Sequence, residues 1–336
     1  MNACTISILG WYGLFAVGCA DAQSPGDGPV GKGTWTIERS TEYWRITGNL
    51  AAPANISAIA SVDGKGFLIG SDDLMIAQYG TIDRKAKTLQ IGGDVALLDK
   101  KADDEIDIEG IAAAPADGHY FVTGSHGLTK KGDMNKERRS IFRVSVSASG
   151  AVSRKIDQAT LRDIFERDPV LRQFWEKPQQ EGGINVEGLA WMNGSLFVGL
   201  RSPNVDDHAL VVQVSAAQLF RKGKVAHQLH LLPLGDGLGI REMVSIAEGF
   251  LIVAGNAGDE PTRDYPVPRD YRKDRAYELF FWNGADKVER LMQLPRLPGR
   301  PEAVLVLDDS EARTSLLVLW DGIAGGAPLH FVLSKK

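Results

Sequence analysis

The chain has 336 residues, of which 43% are hydrophobic and 24% are charged, and this ordinary globular composition excludes a mostly disordered protein. Its 38 Lys and Arg residues and 43 Asp and Glu residues give a formal net charge of −5 at pH 7. A general nucleic-acid-binding protein needs a basic surface, so we expect no nucleic-acid partner.

The longest apolar run, residues 5–20, lies near the N-terminus and contains no charged side chain. It is shorter than the about 20 residues that span a bilayer, and it leads into the small-residue pattern Ala20-Asp21-Ala22. These features predict a secretory signal peptide over residues 1–22, a flexible linker over 23–33, and export to the periplasm or exterior. Two alternatives remain open: a lipoprotein acylated at Cys19, and an uncleaved N-terminal tail.

Both cysteines of the chain, Cys4 and Cys19, lie in this leader. Cleavage after Ala22 would leave a chain with no thiol, no disulfide and no transmembrane segment. The mature protein would then depend on its hydrophobic core rather than on covalent cross-links. We expect it to be a monomer.

A unit of short strands recurs five times along residues 34–336, and this repeat predicts the fold. Each copy opens with a polar position, and these positions lie 52, 78, 55 and 60 residues apart. A turn, a buried strand and further strands follow, which is the pattern of a four-stranded propeller blade. The recurring polar residues are Ser57, Glu109, Glu187, Glu242 and Glu302.

We therefore predict an all-β, single-domain β-propeller over residues 34–336 with five four-stranded blades. The fifth copy lacks an outer strand, and the segment Trp35–Ile46 is placed to supply it and close the ring, which removes exposed sheet edges. Six blades remain an alternative if Trp35–Ile46 splits into two strands. The outer strand of blade two is predicted at about Ala151–Ile156.

Helical spacing interrupts the strand pattern between blades two and three, over Ile156–Pro178. Leu161 and Phe165 recur with a helical period, and Asp168-Pro169 predicts an N-cap followed by a first helical position. We expect this short helical insertion to lie over a mouth of the central channel. It either covers apolar surface or acts as a moving lid.

The recurring polar positions should surround one opening of the channel, because every inner strand of a propeller starts at the same face. Four carboxylates directed at one axis repel one another, and three outcomes remain open. They line a hydrated channel, they pair with arginines such as Arg201, Arg241 and Arg300, or they hold a divalent ion. Oxygen ligands favour Ca²⁺ or Mg²⁺, and no other cofactor is indicated. The candidate metal ligands are Glu109, Glu187, Glu242 and Glu302.

Two long charged loops, His126–Arg139 and Asp259–Arg275, follow second strands on the same face. Their basic side chains predict a rim that steers a small anionic ligand or a protein partner toward the mouth. The alternative is a pair of solvated loops with local ion pairs. The candidate ligand-binding residues are His126, Lys130, Arg138, Arg201 and Arg241.

Several stretches between residues 50 and 330 resemble a family of secreted bacterial propellers known as domain of unknown function 3616 (DUF3616). The most specific of them are Val198-Gly-Leu-Arg-Ser-Pro203 and Gly237-Leu-Gly-Ile-Arg-Glu242. The resemblance implies a secreted single-domain propeller and supplies no activity. The Glu-Gly pair of the inner strands is more distantly similar to phytase-like esterase propellers, and likeness of fold does not transfer a reaction.

Three functions remain open at this stage. The first is a non-catalytic exported propeller that binds a small anionic ligand or partner at its charged mouth. The second is a metal-assisted phosphoester or ester hydrolase, with catalytic candidates His126, Arg201 and Glu187 around the ion. The third is a scaffold without special chemistry. No G-x-S-x-G, Walker or H-E-x-x-H motif in the sequence favours an enzyme of another kind.

Overall fold

A computed structural model describes residues 34–98, 105–129, 132–147, 151, 153 and 156–336. The predicted signal peptide, the linker and the alternative anchor at Cys19 lie outside these residues, as does the candidate ligand-binding residue Lys130. In the part of the chain that the structure describes, no helix combines the length and apolar character needed to cross a membrane.

The strands form five sheets, which are the five blades of a β-propeller. Two strands come first, β1 (Trp35–Tyr43) and β2 (Arg45–Thr47). Blade one follows with β3 (Ala58–Ala60), β4 (Gly66–Gly70), β5 (Ile76–Asp83) and β6 (Thr88–Ala96). Blade two has β7 (Ile108–Ala114), β8 (His119–Gly124), β9 (Ile141–Ser145) and β10 (Asp157–Ala159).

The remaining blades repeat this plan. Blade three has β11 (Asn185–Met192), β12 (Ser195–Ser202), β13 (Ala209–Ser215) and β14 (His227–Leu232). Blade four has β15 (Leu238–Ile246), β16 (Gly249–Asn256), β17 (Glu278–Trp282) and β18 (Val288–Gln293). Blade five has β19 (Arg300–Asp309), β20 (Arg313–Asp321) and β21 (Leu329–Lys335), and β1 is its fourth strand. The first strands of neighbouring blades contact one another in a closed cycle, so they are the inner strands around the axis.

The N-terminal segment closes the ring as the sequence predicts. Strand β1 pairs antiparallel with β21 at the outer edge of blade five. Next along the chain, the Trp44 amide donates to the Pro328 carbonyl at 2.9 Å, and β2 then pairs in parallel with β6 of blade one. Residues 35–46 therefore do split into two strands, but the second joins an existing sheet, so the propeller has five blades and not six.

Apolar clusters lie between each pair of neighbouring blades and hold the ring together. The cluster between blades five and one, for example, combines Ile59 and Phe67 of blade one with Leu317 and Leu319 of blade five. A single blade has two faces and can bury neither of them alone, so each blade depends on both neighbours for its hydrophobic burial.

The insertion after blade two contains α1 (Arg162–Arg167) and two 3₁₀ turns, Leu171–Gln173 and Gln179–Glu181. Asp168 Oδ1 accepts hydrogen bonds from the amides of Val170 and Leu171 at 2.9 and 3.0 Å, as a capping side chain does, but the turn begins at Leu171 rather than at the predicted Pro169. Apolar side chains of the insertion, including Leu161 and Phe165, are fully buried against blades two and three. Of the two roles that the sequence leaves open, this packing favours a cover over apolar surface.

The described outer strand of blade two is Asp157–Ala159, and the predicted strand at about Ala151–Ile156 lies partly outside the described residues. Polar contacts accompany the pairing of β10 with β9. Arg143 Nε donates to Asp157 Oδ2 at 3.2 Å, and Gln158 Nε2 donates to Ser140 Oγ at 2.8 Å. Such contacts between side chains of separate strands leave no mark on the local hydrophobic pattern.

Truncating the closing strand should destabilise the whole ring. Trp35 is 5% exposed and packs against Phe281 of blade four with ring centroids 5.5 Å apart. We expect Trp35→Ala to lower the free energy of unfolding by about 3–5 kcal/mol, measured by urea denaturation. Glu38→Ala, an exposed position on the same strand, should change it by less than about 0.5 kcal/mol. Equal effects of the two substitutions would contradict ring closure through β1.

Candidate functional site

A β-bulge near the start of the inner strand directs one side chain of each of four blades toward the channel mouth. In β7 the pairing with β8 passes from Ile108 directly to Gly110, so Glu109 is left out of the ladder. Blade one has Ser57 at the corresponding place, immediately before β3. Bulges re-aim side chains and are common next to functional sites. The residues left out of the other ladders are Glu187 in β11, Arg241 in β15 and Glu302 in β19.

The set of bulged residues differs from the predicted set in blade four, where Arg241 and not Glu242 occupies the bulged position. The prediction was wrong by one residue, because Ile240-Arg-Glu242 matches the sequence pattern of the other copies while its strand register is shifted. Glu242 instead pairs with Val253. It thereby takes the register position that small residues hold in the other bulged strands, namely Gly110, Gly188 and Ala303.

Arginines neutralise two of the ring carboxylates. Arg241 lies between them, with Nε 2.9 Å from Glu187 Oε2 and Nη2 donating to Glu302 Oε1. Arg201 Nη1 donates to the other oxygen of Glu187 at 2.9 Å. We call Glu187, Arg201, Arg241 and Glu302 the charged layer. The side chains of Glu187 and Arg241 are each only 3% exposed, so for these carboxylates the arginine-paired alternative describes the structure.

Among the described residues, two carboxyl groups beside the charged layer have no cationic partner within hydrogen-bonding distance. Glu109 is partly exposed, and burial together with the charge of Glu187 raises its pKa well above the usual value. Burial, with the charges of Asp73 and Asp321, raises the pKa of Asp72 to about 7. A carboxyl whose pKa is raised by neighbouring carboxylates lies in a negative potential. This side of the mouth therefore favours a proton or another cation.

The predicted catalytic and ligand-binding residue His126 lies in the interior and is 1% exposed. Its Nδ1 is 3.0 Å from the Gly124 carbonyl oxygen, and its Nε2 accepts a hydrogen bond from the Leu161 amide at 3.4 Å. Burial lowers the pKa of His126 to about 4, so the ring is neutral at physiological pH. Both ring nitrogens contact backbone groups, so His126 anchors the insertion to blade two and has no free nitrogen for a ligand.

The predicted anion-binding residue Arg138 is also occupied by internal partners. Its guanidinium donates to Asp107 Oδ2 at 2.7 Å and to Glu105, and 11% of the side chain is exposed. Next to it, the Arg139 guanidinium stacks on the Trp175 ring of the insertion at 4.1 Å. These arginines of the first loop therefore attach it to the fold rather than extend toward a ligand. The sequence could not show this, because both acidic partners of Arg138 lie more than 30 residues away along the chain.

The candidate metal ligands do not form one set of free oxygens. Within the described ranges, no group of three or more His, Cys, Asp and Glu side chains has the arrangement needed to hold a metal ion. Glu187 and Glu302 are occupied by arginines. Glu242 is fully buried, with Oε1 accepting from the Met243 amide at 2.7 Å. A Ca²⁺ or Mg²⁺ site at these glutamates remains a prediction, and it would require the charged layer to rearrange.

A family model described as "Protein of unknown function (DUF3616)" matches residues 55–148 and 143–326. No curated protein matches the chain. Solved structures with a similar fold include virginiamycin B lyase from Staphylococcus aureus, at 10% identity and a TM-score of 0.38, covering 90% of this chain and 100% of that one. Another is a putative 6-phosphogluconolactonase from Bacteroides uniformis, at 10% identity and a TM-score of 0.41, covering 85% and 90%. Likeness at this level transfers no activity.

Removing an arginine of the charged layer should lower the free energy of unfolding more than removing one partner of a surface ion pair. Arg241→Met leaves Glu187 and Glu302 buried without their bridge, so we expect a loss of about 3–5 kcal/mol in the free energy of unfolding. Arg300→Met removes an arginine that is 44% exposed and pairs with the exposed Glu260, and should cost less than about 1 kcal/mol. Chemical denaturation of both variants measures the difference. Similar losses would show that the layer is not a buried unit.

Glu242 should make the stability of the protein depend on pH. Burial raises its pKa well above the usual 4.5 in the folded state. The folded protein therefore keeps a proton that the unfolded chain releases above pH 4.5, and the contribution of Glu242 to stability falls as pH rises.

Glu242→Gln, which cannot ionise, should remove this loss. We expect the melting temperature of Glu242→Gln to increase relative to that of the unaltered protein between about pH 5 and pH 8. Glu311→Gln, at an exposed position in a turn, is the matched control and should show a constant difference. A constant difference for Glu242→Gln as well would contradict a protonated, buried Glu242.

Proposed function

The chain belongs to the DUF3616 family of proteins of unknown function, and we propose that it is a ligand-binding propeller whose charged mouth takes a small organic cation. The leader predicted over residues 1–22 supports the further proposal that this binding takes place outside the cytoplasm. The ligand would carry an ammonium or guanidinium group, which can donate hydrogen bonds to several separate carboxyl groups.

The distribution of unpaired charge at the mouth carries this proposal. Arg201 and Arg241 have their charges matched by Glu187 and Glu302, whereas Asp72 and Glu109 have no such partner in the part of the chain that the structure describes. Asp72 Oδ1 is also buried without a hydrogen bond to any described residue. Burial and carboxylate repulsion raise both pKa values; a ligand cation would reduce the repulsion, and an anion would add to it.

The proposed ligand is therefore positively charged, whereas the basic loops predict a negatively charged one. That expectation depended on free guanidinium groups at the mouth. The Arg201 guanidinium donates hydrogen bonds to Glu187 and to the carbonyl oxygens of Asn256 and Gly258, at 2.9, 3.2 and 3.0 Å. Arg138 is likewise paired with acidic groups. Arg201 and Arg138 lie at this mouth, but acidic partners already match their charges.

The metal-assisted hydrolase has less support from the same residues. Such an enzyme needs an ion with open coordination positions and a group free to transfer a proton to or from the reacting water. The two ring nitrogens of His126 contact the backbone, and Glu187 lies between two arginines. Neither residue can take the catalytic role proposed for it without a change in its present contacts.

The test compares organic cations with metal ions and with anions. Agmatine and spermidine chlorides are titrated against sodium chloride of equal ionic strength, with binding measured by calorimetry and by the shift in melting temperature. We expect saturable stabilisation by at least one of the organic cations, and stronger binding at about pH 8 than at pH 6. The reason is that the Asp72 carboxyl, with a pKa of about 7, must lose its proton to receive a cation.

Variants locate the effect at the mouth. The double variant Asp72→Asn, Glu109→Gln should weaken binding by about ten-fold or more, and Asp117→Asn, in the turn between β7 and β8, should not. If CaCl₂ or MgCl₂ gives the variant-sensitive stabilisation and the organic cations do not, the metal alternative replaces this proposal. Stabilisation by phosphate or citrate alone would overturn it in favour of an anion site.

A further inference from the structure

The insertion between blades two and three has two parts that pack differently. Its first part, residues 161–175, is attached to the ring by Leu161, Phe165 and Leu171, each fully buried. Its second part, residues 177–183, has the sequence Lys-Pro-Gln-Gln-Glu-Gly-Gly, and none of these residues belongs to an apolar cluster of the described chain. A segment with few buried apolar contacts has low local stability. We call residues 177–183 the flap.

The two ends of the flap meet at a narrow neck. Just outside it, the Ile184 amide donates to the Phe174 carbonyl oxygen at 3.3 Å. Inside it, the Gly183 amide donates to the Pro178 carbonyl oxygen at 2.9 Å, and a Cβ at position 183 would overlap the Lys177 carbonyl oxygen. The flap is therefore a small loop of the Ω type, whose ends lie close together.

Hydrogen bonds within the flap keep its shape independently of the ring. The Glu181 amide donates to the Pro178 carbonyl oxygen at 3.0 Å, and the Gly182 amide donates to the Gln179 carbonyl oxygen at 2.9 Å. The backbone is left-handed just before the flap, with φ +62° at Glu176, and near its end, with φ +81° at Gly182. A loop that carries its own hydrogen bonds can pivot as a unit when a few backbone dihedral angles at its neck change.

The flap lies over the blade-three side of the charged layer. In the amide orientation that gives both groups a partner, Gln179 Oε1 accepts hydrogen bonds from Arg201 Nε and Nη1 at 2.9 and 3.2 Å. The Gln179 amide also lies 3.4 Å from the carbonyl oxygen of Ala257, which is fully buried. Only 12% of the Arg201 side chain is exposed. The flap therefore helps to exclude water from this edge of the charged layer.

The second charged loop holds the flap in this position. The Arg269 amide donates to the Gln180 carbonyl oxygen at 2.9 Å, and the Arg269 side chain lies against Gly182. Tyr265 of the same loop lies beside the Glu181 carboxylate. These contacts are polar, and water can replace their hydrogen bonds when they break.

Arg269 is itself fixed to blade four. Its carbonyl oxygen lies so close to Gly258 that a Cβ at position 258 would overlap it. The Gly258 amide donates to the Asp270 carbonyl oxygen at 3.0 Å. Arg269 can therefore stay with the ring while the flap moves away from it. Such a movement would break a few surface contacts and expose little apolar area, so it requires no unfolding of the ring.

We propose that the flap pivots about its neck between the closed position of the structure and an open one, and that Arg269 is its latch. The closed flap keeps water from the Arg201 edge of the charged layer, and the open flap admits water and polar solutes there. The flap would thus control access to one side of the charged mouth. This motion does not depend on the cation proposed as the ligand.

Hydrogen exchange measures the opening without a ligand. The Arg269 amide bonds to the flap, whereas the Phe165 amide bonds to the Leu161 carbonyl oxygen in the packed part of the insertion. After correction for intrinsic rates, we expect the Arg269 amide to exchange at least about ten-fold faster than the Phe165 amide. Its rate should hardly change in low urea, because opening exposes little surface. Equal protection of the two amides, with the same urea dependence, would overturn the proposal.

A latch variant tests the role of Arg269. Arg269→Ala removes the side chain that lies against Gly182 and keeps the amide, so exchange at position 269 should increase several-fold. Arg272→Ala, in the same loop, is the matched control, because the Arg272 guanidinium pairs with Asp236 and not with the flap. The control should leave that exchange unchanged. Equal exchange in the two variants would overturn Arg269 as the latch.

A thiol beneath the flap reports on access to the mouth. In the full chain with Cys4→Ser and Cys19→Ser, Ala257→Cys supplies the only thiol. It should react slowly with N-ethylmaleimide, and at least about ten-fold faster when Arg269→Ala is added. Ala254→Cys, fully buried within β16, is the matched control and should react slowly in both backgrounds.

A second opening variant guards against a failure of the first to fold. Gln179→Ala removes the contact of the flap with Arg201 and keeps the latch, so it should also accelerate the reaction of Ala257→Cys. Circular dichroism and thermal melting confirm that each variant folds. If neither variant accelerates this reaction, or if the thiol of Ala254→Cys is accelerated equally, the flap does not control access and the proposal is overturned.

Discussion

The structure depends on the burial of apolar side chains between neighbouring blades. Each blade is a sheet with two apolar faces, and each face is covered only by the next blade, so the arrangement must continue until it closes on itself. The N-terminal segment completes this closure because β1 joins blade five while β2 joins blade one. One continuous segment therefore bridges the first and last blades without a disulfide.

Closure has an electrostatic consequence at the axis. The inner strands all start at one face, and the bulges at Glu109, Glu187, Arg241 and Glu302 direct charged side chains toward the same small volume. Four carboxylates there would be strongly repulsive. Arginine at position 241 replaces one of them, and with Arg201 it neutralises two others. On the side of blades one and two, burial and neighbouring carboxylates raise the pKa values of Asp72 and Glu109, so this side favours a proton or another cation.

The charged layer also divides the channel into two chemically different ends. One end is a polar mouth with carboxyl groups that have no cationic partner among the described residues, and the other is a cavity of about 550 Å³ lined by both apolar and polar residues. The insertion and the first charged loop stabilise blade two and blade three from outside through Phe165, His126 and the stacking of Arg139 on Trp175. Several polar residues that look chemically available in the sequence serve this packing instead. Their hydrogen bonds and ion pairs position the site rather than take part in it.

The sequence by itself determined the blade architecture, because strand alternation and turn chemistry act over a few residues. Turns such as Asn193-Gly194, both with positive φ, and the five-fold recurrence of short strands predict the propeller, and the spare N-terminal strand predicts its closure. Only the tertiary structure decided that Arg241 rather than Glu242 faces the mouth, because a one-residue register shift in a strand exchanges its faces. The burial of His126, the pairing of Arg138 and the position of the flap over Arg201 likewise depend on contacts between blades and loops far apart in the chain, and desolvation in those contacts sets the charge of each group.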